Sequence, residues 1–395
     1  MFTFVSQNKS MTLEHITTLF SKHKETHLYH RYITNIHIEP LLEKLKNSIH
    51  VDIVGKSVLN DSIYGLRIGY GDKRILMWSQ MHGNESTTTK AIFDLLNTLL
   101  DKNSHLAYIL ETCTLYIIPI LNPDGAKAYT RVNANEIDLN RDAQDLSQPE
   151  SKVLRKVFDV FKPHFCYNLH GQRTIFSVGN TNKVATVSFL APAQDKACAI
   201  TLNRKVAMEV ISVMNTILQE IIPNQVGVYD DAFNLNCVGD TFQSENVPTI
   251  LFEAGHYKND YAREQTRVFI YTSLLESLDY ISNNDINGSH FDSYLKIPEN
   301  GKYFYDVIIR NAKIYAEDEE KVEDIGILYQ EKLVDSKVDF VPKVEKIGNL
   351  NNFHGHKEID AQGLGVFTDC EQQIQVNYEN VFVIVNNEKI SLLSK

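Results

Sequence analysis

Between residues 48 and 281, short apolar runs alternate with longer amphipathic segments, and that alternation leaves few folds open. Val51–Val54, Tyr64–Ile68, Ile75–Trp78, Leu115–Leu121, Phe165–Leu169 and Thr249–Phe252 read as strands. Ile75–Trp78 is apolar without a break, as expected of a strand covered on both faces. Thr89–Leu100, Glu150–Phe161, Arg204–Glu220 and Tyr261–Ile281 read as helices, the first with Ile92, Leu95, Leu96 and Leu99 inward. Strands separated by helices predict an α/β fold: a mixed, largely parallel sheet with helices on both faces.

The flanks differ. Leu13, Ile16, Leu19 and Phe20 fall on one helical stripe, and Ile38, Leu41, Leu42 and Leu45 on another. Residues 11–47 are therefore expected to be helical, and 1–47 form an N-terminal helical segment. Residues 48–281 are expected to form the central α/β domain. Residues 282–290 read as a linker, and 291–395 as a small β-rich C-terminal domain with strands at Val307–Tyr315, Ile327–Val334, Val338–Val341 and Val381–Val385. The acidic stretch Glu317–Glu320 fits a solvated loop between two of them.

The formal net charge is −11. Phosphate binding needs a basic stripe, and none is present, so no nucleic-acid partner is expected. No apolar run is long enough to cross a bilayer, and the N-terminus lacks the features of a secretory signal. Cys113, Cys166, Cys198, Cys237 and Cys370 are an odd, scattered set without a CxxC pair. Reduced thiols, most of them in the core, and a cytoplasmic location are the expectation.

A catalytic zinc ion usually takes three protein ligands and leaves a fourth position open. His82 and Glu85 stand three apart just after the strand Ile75–Trp78. Alone, that spacing reads rather as a turn with a capping carboxylate. However, His170 directly follows the strand Phe165–Leu169, and Glu253 directly follows Ile250–Phe252. Three apolar strands thus end in a ligand or a base, and ligands gather at such strand ends in open α/β sheets. An unpaired carboxylate at a buried strand end also needs a reason, which a metal or an arginine would supply. The loop from Thr130 to Asp142 offers two arginines and several asparagines that could grip a carboxylate and an oxyanion. His23, His27 and His30 lack a completing carboxylate or thiolate and read as a polar helical face. His354-Gly355-His356 reads as a polar loop.

Taken in order, His82-Gly83-Asn84-Glu85, Asn122-Pro123-Asp124-Gly125, Thr130-Arg131, Asp138-Leu139-Asn140-Arg141, His170 and Phe252-Glu253 resemble the zinc carboxypeptidases of the carboxypeptidase A type. Their spacing is more similar to the compact bacterial branch that includes murein peptide amidases. The resemblance covers roughly residues 48 to 281. It implies one Zn²⁺ held by His82, Glu85 and His170, with Asp138 hydrogen-bonded to the far nitrogen of His82. It also implies Glu253 as general base, Arg131 at the oxyanion, and Asn140 and Arg141 on the substrate's terminal carboxylate. The family's mobile-loop tyrosine has its best counterpart in Tyr229, with Tyr257 and Tyr261 as alternatives. Gly171-Gln172-Arg173 replaces the aromatic residues usual after the third ligand, and Asp240 is a candidate for selecting the side chain.

The leading expectation is a metallocarboxypeptidase acting on a peptide with a free C-terminal carboxylate. A murein peptide amidase or an N-acyl amino acid deacylase would use the same scaffold. A zinc-dependent binding protein without catalysis is the alternative of another class. It is disfavoured because Glu253 and Arg131 are both present. The sequence does not speak to oligomeric state.

Overall fold

The structure, a computed structural model, describes residues 12–316 and 319–393. Residue 11 of the expected helical segment, and residues 317 and 318 of the acidic stretch, lie outside the described residues. Eight strands form the main sheet: β1 (His50–Lys56), β2 (Ser62–Gly69), β3 (Lys73–Ser79), β4 (Cys113–Ile118), β5 (Phe165–Gly171), β6 (Val187–Leu190), β7 (Val226–Val228) and β8 (Thr249–Ala254). Their spatial order is β1-β2-β4-β3-β5-β8-β6-β7. The central strands β4, β3, β5 and β8 run parallel. β2 and β6 join them antiparallel, and β1 pairs antiparallel with β2.

The period-2 rule decides which face each residue covers. On β3, Ile75 and Met77 enter one core, while Leu76 and Trp78 enter the other. The larger core is roofed by α3 (Thr87–Leu100), α7 (Leu202–Ile221) and α9 (Glu264–Asn283). The opposite core is closed by α6 (Pro149–Phe161) and α8 (Val238–Ser244), where Phe158 stacks on Phe242 and Trp78 meets Phe242 edge-on. Helices on both faces are what the uninterrupted strands require. Among the described residues, no helix is long and apolar enough to cross a membrane.

The N-terminal helices are α1 (Leu13–His23) and α2 (Asn35–Leu45), separated by an irregular stretch. Both insert residues into the larger core, Ile16, Leu19, Ile38 and Leu41 among them. α9 begins three residues later than the sequence pattern suggests. Arg263 adopts a left-handed conformation (φ 59°), and the Asp260 carboxylate accepts from the amides of Glu264, Gln265 and Thr266, at 2.8, 2.8 and 2.9 Å. An acceptor facing the first amides of a helix fixes its start. Of the five cysteines, Cys113 and Cys166 are buried, Cys198 and Cys237 half-buried and Cys370 exposed, so fewer are core residues than expected.

A second sheet follows, made of β9 (Phe304–Ala316), β10 (Glu319–Val334), β11 (Lys337–Gly348) and β12 (His354–Asp360), in the order β11-β10-β9-β12. Val307, Ile309, Ile325, Ile327 and Val344 lie in a separate core. Glu320 is part of β10 and pairs with Lys313 at 3.0 Å, so the strand reaches into the acidic stretch expected to be loop. His356 is likewise on a strand. It is half-buried and meets the carbonyl of Thr174 at 2.8 Å, at the seam between the two sheets.

Candidate metal centre

Each element around the site is bent toward one point. After β3, Gln80 takes a positive φ of 44°, a conformation that costs a non-glycine residue about 1–3 kcal/mol. Its buried side chain compensates. The amide nitrogen donates to the carbonyls of Ile33 and Gly83, and the amide oxygen accepts from Thr89. The turn then carries His82 and Glu85 over the sheet end. Gly83 is required here, because a Cβ would come within 2.0 Å of the Gly125 carbonyl carbon. The Asn122-Pro123-Asp124-Gly125 turn thus packs directly under the ligand loop, and Asn122 Nδ2 donates to the Met81 carbonyl.

His170 closes β5 and stands in register with Glu253 on the neighbouring parallel strand β8. His82 Nδ1 lies 2.9 Å from Glu85 Oε1, His170 Nδ1 3.0 Å from Glu85 Oε2, and the two imidazole nitrogens 3.1 Å apart. Among the described residues, this is the cluster of three or more His, Cys, Asp or Glu side chains that could hold a metal ion. Zn–N and Zn–O bonds of about 2.0–2.1 Å in a tetrahedron place ligand atoms roughly 3.3 Å apart. The observed spacings and the His₂Glu chemistry fit such an ion. His23, His27 and His30 form no such group.

The surroundings set the charge. Burial alone would lower His82, but the Glu85 carboxylate and the hydrogen bond to Asp138 raise it to about 9. Burial opposes ionisation of Glu85 too, yet His82 and His170 hold it well below the usual carboxylate range. Asp138 Oδ1 lies 3.0 Å from His82 Nε2. Arg131 Nε donates to Asp138 Oδ2 at 3.1 Å, and its Nη1 reaches Glu85 Oε1 at 3.4 Å. Burial, then the charge of Glu85, pushes Glu253 well above the ordinary carboxylate range, and Glu253 Oε2 is buried without a hydrogen-bond partner among the described residues.

A cleft of about 570 Å³ opens beside the cluster. Asn140, Arg141, Tyr229, Asp240 and Glu253 line it together with the ligand residues. Asn140 Oδ1 accepts from the Val238 amide at 3.1 Å, and Arg141 Nη1 donates to the Asn140 carbonyl at 2.7 Å. Tyr229 donates to Gln172 Oε1 at 2.8 Å. Asp240 is pushed up to about 6 by burial, against the pull of the Asn234 amide and Arg141. All eight site residues singled out in the sequence thus gather at one sheet edge.

Residues 35–175 match the zinc carboxypeptidase family model. That stretch carries His82, Glu85, Arg131, Asp138 and His170. Carboxypeptidase 2 of Trichophyton rubrum is 29% identical over 100 residues, covering 25% of this chain and 19% of that protein. Carboxypeptidase SOL1 of Arabidopsis thaliana is 39% identical over 87 residues, covering 19% of this chain and 18% of the relative. The chain thus spans about a fifth of the length of these curated relatives. The crystal structure of a carboxypeptidase A homologue from Shewanella denitrificans superposes with a TM-score of 0.53 at 18% identity, over 63% of this chain and 69% of that one, and shares the fold.

Several residues around the candidate metal centre gave no sequence signal. A second cavity of about 330 Å³ also touches Glu85 and Arg131 but not Asn140, and Arg31, Arg263, Tyr329, Glu331 and Phe340 line it. Tyr329, Glu331 and Phe340 come from the C-terminal sheet. Arg31 and Glu331 are ion-paired at 2.8 Å across 300 residues of chain. A pairing at that separation leaves no local pattern.

Proposed function

We propose that this chain is a zinc-dependent metallocarboxypeptidase that hydrolyses the C-terminal peptide bond of short peptides. The observation that carries this reading is the convergence of His82, Glu85 and His170 beside Glu253 on the adjacent strand, whose Oε2 has no hydrogen-bond partner among the described residues. His82, Glu85 and His170 would hold one zinc ion. Asp138 fixes the tautomer and raises the basicity of His82 through its far nitrogen. When bound, zinc supplies Lewis acidity at the scissile carbonyl and lowers the pKa of water to about 7.

The chain's own groups do the rest. Glu253 takes a proton from the attacking water and passes it to the leaving nitrogen, work that typically contributes roughly 10²- to 10⁴-fold. Arg131 donates to the oxygen on which negative charge develops. Asn140 and Arg141 bind the terminal carboxylate, which puts the leaving residue in the larger cleft. Asp240, inside that cleft, favours a basic side chain there once it is ionised above about pH 6.

The test is product analysis of the zinc-loaded protein with a mixed peptide pool. Release of single C-terminal residues, stopped by a chelator, restored by Zn²⁺ and reduced about 10²- to 10⁴-fold by Glu253→Gln, is expected. Stoichiometric zinc with no turnover of any peptide, cell-wall peptide or N-acyl amino acid would overturn it.

A further inference from the structure

The second cavity has an imbalance of charge that points to its ligand. Each carboxylate lining it is engaged. Glu85 faces His82, His170 and Arg131. Glu331 accepts from Arg31 and from the Tyr129 hydroxyl. Asp306 accepts from the Tyr261 hydroxyl, the Thr174 hydroxyl and the Tyr329 amide at 2.8, 3.2 and 2.7 Å.

Two of the cations are not so matched. Arg263 is 2% exposed, and its two terminal nitrogens donate to the carbonyls of Ala254 and Gln172, both at 2.9 Å. A guanidinium satisfied only by neutral carbonyls keeps its full charge, and burial followed by nearby Arg31 lowers Arg263 to about 10. Arg173 is exposed at the mouth, lines both cavities, and makes no side-chain hydrogen bond or ion pair among the described residues. An exposed guanidinium lining the same cavity as a buried one makes the cavity favourable to an anion, and arginine binds carboxylates bidentately.

The place of this cavity defines what enters it. If the leaving residue occupies the cleft with Asn140 and Arg141, the acyl part of the substrate must leave the metal centre on the other side. The second cavity adjoins the same centre, sharing Glu85, Arg131 and Arg173 with the cleft, and offers room for that part. Its volume of about 330 Å³ is at the small end of ligand pockets, which run from about 300 to 1,000 Å³.

Resting on the function proposed above, we infer that this cavity is an acyl-side pocket with Arg173 as its carboxylate-binding residue, selecting short substrates that carry a carboxylate on the acyl side of the scissile bond. That carboxylate comes either from a dicarboxylic N-acyl group or from an acidic residue preceding the scissile bond.

The test uses zinc-loaded full-length protein and substrates sharing one C-terminal residue. One arm compares succinyl with its neutral succinamoyl counterpart. The other compares acetyl-Glu with acetyl-Gln at the preceding position. Loss of one charge-assisted contact costs about tenfold or more, so kcat/KM is expected to favour the acid by at least that in one arm, which identifies the source. Arg173→Gln is expected to bring the ratio close to one, and Arg173→Lys to retain part of it. Equal rates for acid and amide in both arms, or a ratio that survives Arg173→Gln, overturn the pocket. Absence of turnover in every arm overturns the hydrolase reading instead. Calorimetric binding of the succinyl and succinamoyl ligands to the same protein and to Arg173→Gln then decides the pocket by the same ratio.

Discussion

At the residue scale, this molecule tolerates several buried charges, and they are not equivalent. Asp94 and Arg267 face each other at 2.6 Å, both fully buried, and satisfy one another. Glu276 on α9 has no such partner. It is buried, its Oε2 lacks a hydrogen-bond partner among the described residues, and burial followed by Asp279 and Glu220 pushes it up to about 7. Its folded value is thus above its unfolded one, so between about pH 4.5 and 7 the native state holds a proton that the unfolded chain has released. Stability contributed by the protonated form is complete below pH 4.5 and is lost as pH rises through 7. The loss is up to about 3 kcal/mol for a shift of this size. Denaturant titrations of Glu276→Gln should show that part of the pH dependence removed and a higher midpoint than wild type at pH 8. Parallel curves for the two proteins from pH 5 to 8 would refute the assignment.

At the scale of elements, the ligand loop and the helix beneath it are one unit. α5 (Pro123–Ala128) presents Gly125 to Gly83 so closely that a methyl group on Gly83 meets Gly125 and Ala126 backbone atoms at 2.0–2.4 Å. Backbone cannot give way as a flexible side chain would, so the ligand loop must lift. Gly83→Ala is therefore expected to reduce zinc affinity at least tenfold, on the order of the loss seen when groups supporting metal ligands are removed. Competition against a zinc-binding dye would measure it. Unchanged affinity in a folded variant would show that the close packing is incidental to the metal site. The same elements show what could be read in advance. The runs ending at His82, His170 and Glu253 were legible because a covered strand is written as an unbroken apolar segment. The strands Val187–Leu190 and Val226–Val228 were not, since runs of three or four residues carry too little periodicity to register. The break between α1 and α2 was hidden for a different reason. Arg31, within that break, is fixed by Glu331 from the distant C-terminal sheet, a cause the local sequence does not contain.

At the scale of the whole molecule, the C-terminal sheet meets the candidate site through a polar seam. Glu331 binds Arg31 and the Tyr129 hydroxyl, Asp306 binds the Tyr261 and Thr174 hydroxyls, and His356 meets the Thr174 carbonyl. Arg31 is only 8% exposed, so it depends on Glu331 for a counter-charge. The seam holds Tyr329 and Phe340 against the second cavity, and under the acyl-side role proposed for it they would stand in the path of an extended peptide. Glu331→Ala removes the acceptor of two donors at once. It should lower stability by about 2 kcal/mol, the usual scale for a lost hydrogen bond to a charged group. It should also loosen the wall, so that kcat/KM for a hexapeptide rises relative to that for a dipeptide ending in the same residue. Thermal unfolding measures the first effect and paired kinetics the second. Because the readout is a ratio, partial unfolding that removes active protein lowers both rates and leaves it unchanged. A lower melting temperature with an unaltered ratio would make the seam a matter of stability only, and the C-terminal sheet would then have no part in choosing substrate length.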